Sequence, residues 1–189
     1  LMKFSKRTDW TASLNLLSVK LADLKSEGRA ILDLTVSNPT ACKFEYLNPS
    51  LLEPFLKSQN LAYTPDARGL LEARRALCDD YQKKGILLSP QQIFLTANTS
   101  EAYSFIFRLL FEPGEMLMVP RPGYPLLDYL GRINDLCLET YPLVYERNWK
   151  TNFEKIDGPT DLEPRAVLIV NPNNPTGNFM RQTGLGEIN

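Results

Sequence analysis

Leu14, Leu17, Leu21 and Leu24 recur at three- and four-residue intervals along TASLNLLSVKLADLKSE, residues 11–27, and Gly28 follows. Side chains at that spacing share one face of a helix, and glycine is a favoured stop, so the stretch predicts an amphipathic helix. AILDLTV (30–36) predicts a short strand or extended segment. SNPTACKFEYLNPS (37–50) predicts a loop, because the residue before each proline resists helical geometry. The apolar rhythm returns after YTPDARG, where Leu70, Ala73, Leu77 and Tyr81 share a face. Asp66 is positioned to cap that second helix and Gly85 to end it.

From residue 92 the pattern shortens. QIFLTA (92–97), MLMVP (116–120), CLETYPL (137–143) and AVLIVN (166–171) are apolar runs of strand length. Helical patterns at 99–111 and 124–133 fall between them. Short apolar strands alternating with helices predict an α/β fold, a mainly parallel sheet sandwiched by helices. Ligands of such sheets bind beyond the carboxyl ends of the strands. The residues to weigh are therefore Asn98-Thr99-Ser100, RPGYP (121–125) and NPNNPTG (171–177).

Composition narrows the chemistry. Of 189 residues 43% are hydrophobic, enough for a sizeable core, and the net charge of −1 comes without a long run of one sign. This argues against nucleic acid or an anionic membrane as partner. No apolar stretch approaches the ~20 residues of a membrane span, and the first residues lack the apolar block of a secretory signal. Cys42, Cys78 and Cys137 are scattered, which fits neither a disulfide framework nor a zinc site and points to the reducing cytoplasm. The chain has no histidine. The usual general base and commonest metal ligand are thus missing, leaving lysine, carboxylate, tyrosine or a cofactor, and no metal site is expected.

The three strand-end loops suit one ligand. Asn98, with Glu101 three residues on, can form a capping box. Free N–H groups at the helix start, with the Thr99 and Ser100 hydroxyls, can bind a phosphate. Tyr124, in a stiff Pro-Gly-Tyr-Pro turn, can stack on a flat heterocycle. Taken alone, each also has an ordinary alternative: a cap that binds nothing, and a tyrosine that only packs. NPNNPTG cannot be helical, and its Asn-Pro steps make a rigid turn able to aim an asparagine amide, which is both donor and acceptor.

VLIVNPNNPTG resembles the strongest signature of the class I and II aminotransferases, the fold-type I pyridoxal-phosphate enzymes. YTPDARGLLEARRAL resembles their Tyr-x-x-x-x-Gly…Leu-x-x-Arg segment, IFLTANTSEAY their phosphate turn, and PGEMLMVPRPGYPLLDY their PGDxVlvPxPxYpxY segment. The likeness covers residues 30–181 or so. It implies pyridoxal 5'-phosphate as cofactor. Asn174 would bond the ring's phenolic oxygen, Pro175 would follow a cis peptide, Tyr124 would stack on the ring, and Asn98, Thr99 and Ser100 would hold the phosphate. Tyr63 would reach the phosphate of the neighbouring subunit, making the protein a homodimer. Ser37 would lie beside the substrate carboxylate, although SNPT lacks the glycine and acidic residue of the GxPD pattern there.

The family's Schiff-base lysine, ring-nitrogen aspartate and carboxylate-binding arginine follow the NPTG turn. Only NFMRQTGLGEIN follows Gly177, and it holds no lysine or aspartate. The expectation is thus the N-terminal part of a longer aminotransferase, inactive alone, with no catalytic residue in this chain and its lysine beyond Asn189. Residues 1–40 would form an N-terminal arm and small-domain segment. Residues 41–189 would form the N-terminal part of an incomplete large cofactor-binding domain. The substrates would be an amino acid and a 2-oxo acid. Two alternatives stand beside this: another fold-type I enzyme, β-eliminating or cyclopropane-forming, and a non-catalytic cofactor-binding remnant.

Overall fold

A computed structural model describes residues 3–10, 14–34, 38–42, 44, 49–151 and 163–180. The chain divides into two compact units, one of Leu1–Trp10 with Thr96–Asn189 and the other of Thr11–Leu95.

The first unit is built on a four-stranded sheet. Its elements, in chain order, are helix α3 (Thr99–Leu110), strand β1 (Met116–Arg121), helix α4 (Leu127–Ile133) and strands β2 (Cys137–Glu146), β3 (Asn148–Thr151) and β4 (Ala166–Val167). The strand order is β3-β2-β1-β4. β1 pairs in parallel with β2 and with β4, while β3 returns antiparallel to β2. Met116, Leu117, Met118 and Val119 are all buried, as befits a central parallel strand covered on both faces. Leu117 and Val119 meet Phe107 of α3, Phe111 just past its end, and Leu127 and Leu130 of α4 on one face. Met118 packs with Tyr141, Leu143, Trp149 and Val167 on the other. Each such side chain contributes about 1.5–3 kcal/mol by leaving water. α4 lies so close to β2 that a Cβ on Gly131 would stand 2.6 Å from the Leu138 side chain.

The predicted fold class is borne out, and several boundaries move. Nothing in the apolar pattern marks β3. It exists because Arg147, at φ 63, turns the chain back directly after β2. Residues 92–97, expected as a strand, have no ladder partner among the described residues. Gln92 ends a 3-10 turn, and Phe94 is 64% exposed. Leu95 N–H donates to Arg68 O at 2.9 Å, but one isolated bond does not make a ladder. The last predicted strand shortens to Ala166–Val167, with Leu168 N–H still donating to Met118 O.

In the second unit, helices α1 (Leu16–Ser26) and α2 (Leu71–Lys83) take their predicted places. Asn15 caps α1, accepting from Ser18 N–H, and Gly28, at φ 71, follows its end. Of the expected stripe, Leu14 and Leu17 are exposed, while Leu21 and Leu24 are partly buried. Gly85, at φ 80, ends α2 as expected. Asp66 does not cap it. Its carboxylate accepts from Arg68 N–H at 2.8 Å and from Arg74 Nη2 at 2.7 Å. Of the extended stretch expected at 30–36, residues 31–34 form no strand, and Thr35 and Val36 lie outside the described residues.

Candidate functional site

All three loops singled out by the sequence belong to the sheet-bearing unit. Asn98 starts α3 in extended geometry, and its Oδ1 accepts from Glu101 N–H at 2.9 Å. The return bond of the expected capping box is displaced by one residue: Glu101 Oε2 accepts from Ala97 N–H at 2.7 Å. The first N–H groups of a helix have no carbonyl partner within it. With Glu101 N–H occupied by the cap, those of Thr99 and Ser100 remain to bind an acceptor at the positive end of the helix dipole.

Tyr124 sits in the turn between β1 and α4. It is half-buried and packs against the Phe107–Leu127 cluster beside Tyr103 of α3. Burial raises the Tyr103 phenol above its ordinary pKa, with the neighbouring Tyr124 as second cause. The 121–125 turn therefore leans on the helix whose first residues are Thr99 and Ser100. The turn itself is tight. A Cβ on Gly123 would lie 2.2 Å from Pro120 O, an overlap with backbone that only glycine avoids.

The third loop joins the second through a residue the sequence reading passed over. Asn173 is 5% exposed, and its Nδ2 donates to Thr176 Oγ1 at 2.7 Å and to Pro122 O at 3.2 Å. Its backbone closes the turn, donating to Asn178 O at 2.8 Å and accepting from Gly177 N–H at 2.7 Å. Asn174, the next residue, is exposed and makes no hydrogen bond with any described residue. The peptide between Asn174 and Pro175 is cis, as expected, and so are Asn171–Pro172 and Arg121–Pro122. Nothing in the motif's spelling says which asparagine is buried. Asn173 bonds Thr176 within the motif and Pro122 O far outside it, and Asn174 does neither.

Beneath this loop Tyr141 of β2 is 1% exposed and donates its hydroxyl to Leu168 O at 2.8 Å. Burial pushes its pKa up to about 12. The bond ties β2 to the strand end leading into NPNNPTG. No sequence signal marked it, since a buried tyrosine in a strand reads as packing.

Two further residues were expected at the site. Tyr63 belongs to the second unit and is 90% exposed. Ser37 lies outside the described residues. Cys42, Cys78 and Cys137 are free thiols, and no helix among the described residues is long and apolar enough to cross a membrane.

The family model for "Aminotransferase class I and II" matches residues 29–188. The chain is 30% identical over 166 residues to a glutamate-pyruvate aminotransferase of Haemophilus influenzae, spanning 87% of this chain and 41% of that protein. It is 35% identical over 129 residues to an S-alkyl-thiohydroximate lyase of Arabidopsis thaliana, spanning 67% of this chain and 28% of that one. Among solved structures, the alanine aminotransferase of Pyrococcus furiosus superposes with a TM-score of 0.77 at 27% identity, over 98% of this chain and 48% of that one. The chain spans less than half the length of these relatives. Its strand-end loops, its sheet and its matched residues make it a member of the class I and II aminotransferase family.

Proposed function

We propose that the chain is the N-terminal part of a pyridoxal 5'-phosphate-dependent aminotransferase, which moves an amino group between an amino acid and a 2-oxo acid. The observation that carries this reading is the linkage of three loops at one end of the sheet. Asn173 joins the NPNNPTG turn to the Tyr124 turn, and Tyr124 lies beside Tyr103 of α3.

The residues present fit the cofactor. Thr99 and Ser100 offer unpaired N–H groups and hydroxyls for a phosphate, and Asn98 fixes the helix start from which they project. Tyr124 offers a half-buried ring for stacking. Asn174 offers an amide without a partner among the described residues, suited to a phenolic oxygen. When bound, the cofactor supplies an electron sink for the pair left when the amino acid's α C–H bond breaks. In this proposal Ser37 borders the substrate carboxylate, and Tyr63 reaches across a homodimer to the partner's phosphate. Residues 1–40 form an arm and small-domain segment, and 41–189 belong to the large domain. Three free thiols suit a reducing cytoplasm. The activity is that of the whole protein.

The test uses the full-length protein loaded with pyridoxal 5'-phosphate, offered amino donors with 2-oxoglutarate. Oxo acid formed from the donor is the expected result, and failure to bind the cofactor refutes the reading. A second reading, lyase chemistry on the same scaffold, is favoured by the 35% identity to the thiohydroximate lyase. Pyruvate and ammonia in place of transamination products would establish elimination. Asn174→Ala is expected to change the bound cofactor's absorption spectrum while leaving the melting temperature nearly unchanged.

A further inference from the structure

We infer that Asn173 is the positioning residue of this site, its single amide setting the separation between Asn174 and the Tyr124 ring. The inference rests on the cofactor site proposed above. The ladder between β1 and the strand leading to the loop ends early, with Leu168 N–H on Met118 O. Beyond it, the hydrogen bond between these two segments among the described residues is that of Asn173 Nδ2 to Pro122 O. Pro122 stands two residues before Tyr124, and Asn173 stands one before Asn174. A change at Asn173 therefore acts on both cofactor-facing groups, although it need touch neither the ring nor the phosphate.

The donor end of the amide does the positioning. Both Nδ2 bonds go to fixed acceptors, whereas Oδ1 is buried without a partner in the described structure. The Asn178 and Gly177 bonds hold the backbone of Asn173, so its amide projects from a fixed point. An ionised aspartate here has the same shape and no donor. It would face the lone pairs of Pro122 O, and its burial raises its pKa. Protonation would return one O–H donor. Cofactor affinity of Asn173→Asp is thus expected to recover as pH falls, relative to wild type at the same pH.

The experiment measures the dissociation constant for pyridoxal 5'-phosphate and the thermal midpoint of full-length wild type, Asn173→Asp, Asn173→Ala and Asn174→Ala between pH 6 and pH 8.5. Asn173→Ala and Asn173→Asp are expected to bind roughly tenfold more weakly at the alkaline end, the scale of one lost hydrogen bond. The aspartate variant alone should regain affinity at pH 6. A purely structural role would lower the thermal midpoint and leave the folded variants' affinity unchanged, and that result overturns the inference. Asn173→Ala adds no buried charge and keeps the test open where the aspartate variant does not fold. Wild type that binds no cofactor overturns the site proposal and this inference with it. Wild type that binds, with Asn174→Ala altering the spectrum and both Asn173 variants binding normally, overturns this inference alone.

Discussion

Replacing Arg74 with methionine should loosen the start of α2 and little else. Arg74 is 4% exposed, and its guanidinium donates to Gly69 O at 2.9 Å, to Pro90 O at 2.7 Å and to Asp66 at 2.7 Å. It thus holds the DARG turn and the Pro90–Gln92 turn against one helix. Methionine fills similar volume without donors. Asp66, whose side chain is 40% exposed, returns to water. The two carbonyls are half-buried and lose their partners. At about 1 kcal/mol for each orphaned carbonyl, and up to as much again for the lost bonds to a charged donor, the cost is about 2–4 kcal/mol. Hydrogen exchange of peptides covering 66–83 reads this directly. Protection should fall roughly 30- to 900-fold, since about 1.4 kcal/mol is a factor of ten. Arg74→Lys should fall between, because one nitrogen cannot sit on three separated acceptors. Unchanged protection in Arg74→Met would refute the reasoning, as would a lysine variant as loose as methionine.

The same cluster sets a pH dependence. The Asp66 carboxyl is held below its ordinary pKa, first by the Arg68 N–H bond and then, against an opposing desolvation, by the charge of Arg74. A depressed carboxylate pKa contributes stability that is present above the unfolded value, near pH ~4, and lost as pH falls through the folded value. Protection of this segment should therefore weaken in acid. In Arg74→Met the acid loss should shrink but persist, because the Arg68 bond remains.

Tyr141→Phe leaves Leu168 O unpaired and should cost about 1–2 kcal/mol in urea unfolding. The raised pKa near 12 means that Tyr141 stabilises the fold fully below the ordinary tyrosine value and loses that contribution as pH climbs towards 12, so the variant should flatten the alkaline decline. Gly123→Ala forces a Cβ against Pro120 O and should cost roughly 1–3 kcal/mol in thermal unfolding, with a larger proportional loss of cofactor affinity. Asn98→Ala removes the α3 cap and should cost about 1 kcal/mol, whereas Asn98→Asp should keep the cap, hold the melting temperature and weaken pyridoxal 5'-phosphate binding by adding negative charge.

Local rules made much of this legible. The helix at 99–111 announced itself through Asn98, Glu101 and its apolar spacing, and α3 runs from Thr99 to Leu110. β1 and β2 appeared as apolar runs because a parallel strand is buried on both faces. What stayed hidden depends on partners distant in the chain. Residues 92–97 have strand-like composition but need a neighbour to become a strand. Asp66 looked like a cap because of its spacing to the helix, and Arg74, eight residues on, takes its carboxylate instead. The NPNNPTG motif identified the loop, yet which asparagine is buried depends in part on Pro122, some fifty residues earlier.

The opposite end of the two site helices shows why one amide can matter so much. Asn134, just past α4, donates to Leu130 O at 2.7 Å and to Ser104 Oγ of α3 at 3.3 Å, and accepts from Arg108 Nε at 3.0 Å. Asp135 follows at φ 59, its carboxylate gripped by both Nε and Nη2 of Arg7. An acidic residue with left-handed geometry at a helix C-terminus is locally unfavourable twice over, and the Arg7 fork offsets both. α3 and α4 are thus fastened together at this end by side-chain bonds, and along their length by the Phe107–Leu127–Leu130 core. Towards the site the fastening is lighter: Tyr103 and Tyr124 pack on the same core, and Asn173 bonds Pro122 O. A frame rigid at one end transmits little error to the other, so small ties suffice to place the ligand-facing groups. By the same reasoning, removing a tie beside the site should displace those groups while the core, held elsewhere, stays folded.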